Sequence, residues 1–203
     1  MESHPEIGLL DSDYLTYDPV TETLSKVYKP NQFSTDVKQG LFSGKYSICP
    51  ATVIIRKSVF DQYVNLDDYI RLDFPIQDWN TFMLLSGHTG FAHIPIPLAT
   101  YRIGTCSMSR LDQYDQIIKK YRKEKVMYEY VCSHCDLPFD EDGYDSYVNQ
   151  ILMSLAFAKN DYASACLYGG LCNERSIKKL CSQSKVLFLV WHYAKKIKDF
   201  VCK

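Results

Sequence analysis

Phe74-Pro75-Ile76-Gln77-Asp78-Trp79-Asn80-Thr81-Phe82-Met83-Leu84-Leu85-Ser86-Gly87 is the stretch on which the fold turns. Asp78 suits a helix N-cap, and Trp79, Phe82 and Met83 fall at helical spacing. Leu84 and Leu85 fill the last turn, and Gly87 closes it. The chain then becomes extended from Phe91 to Leu98, where Pro95 and Pro97 limit it to an edge strand. Upstream, Ala51-Thr52-Val53-Ile54-Ile55-Arg56 is a β-branched run expected to form a buried strand. Ile7-Gly8-Leu9-Leu10 reads as a short buried strand ending at Asp11-Ser12-Asp13-Tyr14. Asp18-Pro19 marks a turn, and Thr23 to Tyr28 alternates like a strand. Gln39 to Gly44 reads as loop, and Lys57 to Asp61 as a short helix or loop. Helices interleaved with strands predict an α/β region, a mixed sheet with helices, over residues 1–110.

Beyond Asp112 the period changes. Tyr114, Ile117, Ile118 and Tyr121 fall at helical spacing, and the pattern runs on towards Val131. After an acidic loop, Pro138 to Asp145, a helix pair is expected over Tyr147 to Lys159 and Asp161 to Tyr168. A last helix covers Val186 to Val201. Residues 111–203 are therefore read as an α-helical C-terminal region.

Composition narrows the class. At 203 residues, with 46% apolar and 23% charged side chains, the chain has globular rather than disordered character. A net charge of −1 argues against a nucleic-acid binder. Yet Arg175 to Lys203 holds eight basic residues against Asp199 alone, a net +7. The opening Met1-Glu2-Ser3-His4-Pro5-Glu6 has neither the positive nor the apolar segment of a secretory signal, so none is expected. Eight cysteines in that context read as reduced cytoplasmic thiols. The sixteen tyrosines suit sugar or protein contacts as well as cores.

Several segments resemble, in order, the acceptor-side half of a family 2 glycosyltransferase of the GT-A fold. They are His4 to Leu9 with Ser12-Asp13-Tyr14, Ile48 to Arg56, Gln77-Asp78-Trp79, and Tyr101-Arg102 with Ser107-Met108-Ser109. The resemblance covers about the first 110 residues. It implies inverting transfer of a sugar from a nucleotide-sugar donor to a glycan or lipid-linked acceptor, in bacterial polysaccharide assembly. Asp78 would be the general base. Pro50, Ala51, Thr52, Gln77 and Trp79 would line the acceptor pocket, and Arg102, Ser107 and Ser109 would lie near the diphosphate. A divalent metal, Mg or Mn, is expected in the complete enzyme, and none is assigned to this chain. The family's nucleotide-binding half, with its Asp-x-Asp motif, is expected upstream of residue 1, so this chain alone is expected to be inactive. Where many relatives carry a His after Tyr-Arg, this chain has Gly104.

Each candidate has a structural alternative. Asp78 also suits a plain N-cap. Asp11-Ser12-Asp13 reads as a turn-forming cluster or, less readily, as a metal-diphosphate motif. Arg102 suits a diphosphate clamp or a structural ion pair, and Trp79 a sugar platform or core packing. Cys132-Ser133-His134-Cys135 is half a zinc site, with an ordinary helix-end loop as the alternative. His88, His93 and His192 read as isolated structural residues. Residues 185–203 suit a helix at a membrane interface, peripheral at the inner face, or one packed on its own domain. A different functional class, a non-catalytic helical interaction or membrane-docking module, also fits the helical region.

Overall fold

The computed structural model describes residues 1–27, 33, 36–103, 111–173 and 175–201. The chain divides into two compact units, Met1–Arg110 with Val126–Pro138, and Leu111–Lys125 with Phe139–Lys203. The first holds a mixed four-stranded sheet with helices and the second is helical, the α/β-then-helix order expected.

In the first unit every strand pairs with β1, Ile7–Asp18. β2, Thr23–Val27, runs antiparallel to its C-terminal part, with Tyr14 opposite Val27 and Asp18 opposite Thr23. β3, Ile54–Ile55, runs antiparallel to Leu9 and Leu10. β4, Gly90–Arg102, runs parallel to β1 from Ile7 opposite Gly90 to Tyr17 opposite Arg102. The hairpin between β1 and β2 is turned by Asp18, whose Oδ1 accepts the Val20 N–H at 2.8 Å.

β1 corrects one expectation. Asp11-Ser12-Asp13 does not end the strand but lies inside it. The triplet's turn chemistry is overridden by pairing with β4 and by the β-prone Tyr14-Leu15-Thr16-Tyr17 that follows. β4 keeps its two prolines by bulging. Ser12 faces Ile94, Asp13 faces Pro97 and Tyr14 faces Ala99, so three extra β4 residues are absorbed where prolyl nitrogens donate nothing to the ladder.

The run Ala51 to Arg56 is likewise not one buried strand. Pro50–Thr52 is a single 3-10 turn with Pro50 at its start, and Ile54 is exposed. Arg56 caps α2, Lys57–Tyr63, while its guanidinium donates to the carbonyls of Met1, at 2.9 Å, and Ile7, at 3.2 Å. Gln39 to Gly44 is largely helical, because Asp36 caps α1, Val37–Phe42, by accepting from the Gln39 N–H. Asn65 caps α3, Leu66–Arg71, in the same way through the Asp67 N–H.

α4, Asp78–Ser86, buries Phe82, Met83, Leu84 and Leu85. They join Leu9, Tyr69, Phe74 and Phe91 in one core, with Met127 and Val131 from the second half of α5, Tyr114–His134. In the second unit, α6, Glu141–Lys159, begins within the expected acidic loop because Asp140 accepts from the Gly143 N–H. Asn160 ends it in the left-handed conformation, and Asp161 caps α7, Tyr162–Gly170. α8, Ile177–Ser182, and α9, Lys185–Val201, complete the unit. Met153, Ala156, Phe157, Ala165, Cys172, Cys181 and Phe188 form its core.

Candidate functional site

Gln77, Asp78 and Trp79 head α4, one position later than the cap assignment placed them. Gln77 is the N-cap, without a side-chain bond, and Asp78 is the first helical residue. This first turn is anchored from α3. Thr81 Oγ1 donates to the Gln77 carbonyl at 2.6 Å, which spends its only hydrogen. The buried Tyr69 hydroxyl, 3.1 Å away, must therefore donate to Thr81, and burial pushes that phenol up to about 12.

Asp78 is half-buried, and its Oδ1 accepts the Trp79 N–H at 2.8 Å. Among the described residues, Oδ2 has no hydrogen-bond donor. A carboxylate in the first turn also lies in the favourable field of the helix N-terminus. Trp79 is half-buried and packs on Tyr128, with ring centroids 4.5 Å apart. Asn80 is wholly buried, and neither amide atom has a hydrogen-bond partner among the described residues. An unpaired buried amide costs about 1–3 kcal/mol. Sequence reasoning passed over it, although a polar residue inside an apolar helical run was the available signal.

The other described candidates lie against β1 and β4 or at the end of β4. The Pro50–Thr52 turn packs against both strands. Pro50 and Ala51 are exposed, and Thr52 is half-buried, its hydroxyl donating to the Cys49 carbonyl at 2.8 Å. Tyr14 and Tyr101 meet edge to face at 6.4 Å, and burial with Cys49 and Tyr101 nearby raises the Tyr14 hydroxyl. Arg102 is the exposed last residue of β4 and makes no ion pair among the described residues. No hydrogen bond among the described residues joins Asp78 to Arg102. Gly104, Ser107 and Ser109 lie outside the described residues.

The sheet also contains a cluster that the sequence did not reveal. His93, opposite Asp11 on β4, places Nδ1 2.8 Å from Asp11 Oδ1 and Nε2 3.1 Å from Asp13 Oδ1. Both carboxylates are 1% exposed. Asp11 and Asp13 share a face because strand side chains alternate, so the one ring brings a nitrogen within hydrogen-bond distance of each carboxylate. His93 is thus not isolated.

A metal does not fit here. The two carboxylates engage opposite edges of the ring rather than converging. No group of three or more His, Cys, Asp or Glu is placed to hold an ion among the described residues. At the end of α5, Cys135 donates its thiol to the Met83 carbonyl, and burial raises both its thiol and that of Cys132. His134 stacks on Tyr130 at 3.9 Å and lies 2.7 Å from that residue's carbonyl. His88 stacks on Tyr63.

Compared with family profiles, with curated proteins and with solved structures, the chain has no significant match.

Proposed function

We propose that the first unit is the acceptor side of an inverting glycosyltransferase and that Asp78 is its general base. One observation carries this reading. At the head of α4, one oxygen of a half-buried carboxylate is pinned by a backbone N–H while the other meets no donor among the described residues. Such an oxygen can take the proton of an acceptor hydroxyl as that hydroxyl attacks the anomeric carbon of a nucleotide sugar. The new carbon–oxygen bond forms as the bond to the diphosphate breaks, and the diphosphate leaves with the electron pair. The sugar inverts because attack and departure occur on opposite faces.

Tyr69 and Thr81 position the base by holding its helical turn. The exposed Pro50–Thr52 turn suits the acceptor, with Gln77 and Trp79 beside the base. Arg102, without an ion-pair partner among the described residues, suits the diphosphate, and Ser107 and Ser109 belong with it on the resemblance alone. The divalent metal of a complete enzyme is assigned to no residue of this chain. Free thiols at the described cysteines suit a cytoplasmic enzyme, with a glycan or lipid-linked acceptor at the inner membrane face.

The test is sugar transfer from labelled nucleotide sugars by the native gene product that contains this chain. Asp78→Asn keeps the bond to the Trp79 N–H but cannot take a proton. Turnover is expected to fall about 1000-fold with donor affinity unchanged. Undiminished turnover rejects the assignment.

A further inference from the structure

α9 has more apolar surface than its own unit covers. On its inner side Phe188 is 1% exposed and meets Phe157 with ring centroids 4.6 Å apart, and Trp191 meets the same ring at 6.2 Å. Val186, Val190 and Tyr193 follow at spacings of four and three residues, and 3.6 residues per turn places them together opposite Phe188. They are 70%, 58% and 61% exposed. A helix that is apolar on both sides needs a second apolar neighbour. Ile177 and Leu180 of α8, which joins α9 through two residues, are exposed as well.

Charge identifies the neighbour. The outward stripe lies within the stretch from Arg175 to Lys203 that carries a net +7. Two copies of this chain meeting through that face would bring two such stretches together, which like-charge repulsion opposes. A bilayer containing anionic lipid offers both a hydrocarbon boundary for the valines and negative headgroups for the lysines, and a tyrosine at headgroup level suits its polar tip. No helix among the described residues is long and apolar enough to cross a membrane, so contact is in the plane of the surface.

We propose that the outer face of α9, with Ile177 and Leu180 of α8 beside it, docks on the surface of an anionic lipid bilayer. The docking stands independently of the sugar-transfer reading. A non-catalytic chain would bind in the same way.

The test is co-sedimentation of the full chain with vesicles of equal parts phosphatidylglycerol and phosphatidylcholine, and with vesicles of phosphatidylcholine alone. Binding to the anionic vesicles is expected to be about tenfold tighter and to weaken with added salt. Val186→Asp with Val190→Asp should reduce it about tenfold while leaving the thermal unfolding midpoint unchanged, because both positions are exposed. Val186→Ser with Val190→Ser, which removes apolar surface without adding charge, should weaken binding in the same direction. Equal binding to both vesicle types, no binding to either, or full binding by both variants would overturn the proposal. So would a lipid-free dimer that the Asp variant dissolves.

Discussion

His93 joins β1 and β4 through its side chain as well as through the backbone ladder. Its ring lies between two carboxylates removed from water, and a hydrogen bond at each ring nitrogen offsets part of their desolvation. Truncation to Ala removes both bonds and leaves a void beside two buried acids. Removing one partner of a buried hydrogen bond costs about 1–3 kcal/mol, so His93→Ala, which removes two, should lose at least about 2 kcal/mol in denaturant unfolding. A loss below about 1 kcal/mol would show that the cluster contributes little. This cluster was not legible in the sequence. Its partners are about eighty residues apart, and locally Asp11-Ser12-Asp13 reads as a turn because Asp and Ser satisfy their own backbone there. The β-prone run Tyr14 to Tyr17 was a contrary signal that local turn propensity outweighed. The place of Asp78 at a helix head was legible because an acid before an apolar helical run is a local pattern. The Asn80 amide next to it was hidden among apolar neighbours.

At the scale of elements, the head of α4 is held by α3 through the Tyr69–Thr81–Gln77 chain of hydrogen bonds. The phenol of Tyr69 has a folded value of about 12, raised by burial above its ordinary 10. A raised value favours the protonated hydroxyl in the folded state. The stabilisation it brings is complete below pH 10 and is lost as pH rises from 10 towards 12. Tyr14, Tyr114 and Tyr130 are raised too, also chiefly by burial, and add to the same alkaline loss. Tyr69→Phe should therefore flatten the fall in stability between pH 10 and 12, as read by urea midpoints across that range. An unchanged slope would mean that the phenol ionises freely in the folded protein. The long helices were the most legible elements, because their apolar period is sustained over several turns, although the start of α6 at its Asp140 cap was missed inside a segment read as an acidic loop. The six-residue helices α3 and α8 escaped, since one and a half turns carry too little periodicity to stand out. The strand at Ala51 was overread, because β-branched residues were counted ahead of Pro50, which starts a turn.

For the whole molecule, two cores share one helix. α5 gives Met127 and Val131 to the α/β core, while Tyr114 near its start packs on the helical core. The change of period near residue 110 marked the passage from one architecture to the other. The return of residues 126–138 to the first unit was not legible, because an amphipathic pattern shows that a face is buried but not against which partner. The proposed chemistry belongs to the first unit, and the second presents an outward apolar helix face. The reaction proposed is single displacement at an anomeric carbon, with Asp78 taking the acceptor proton. The most direct measurement is the anomeric configuration of the transferred sugar, read by proton NMR on product made by the native gene product from a nucleotide sugar of known anomer. The opposite anomer is expected in the product. A retained configuration, or no transfer from any nucleotide sugar, would contradict it.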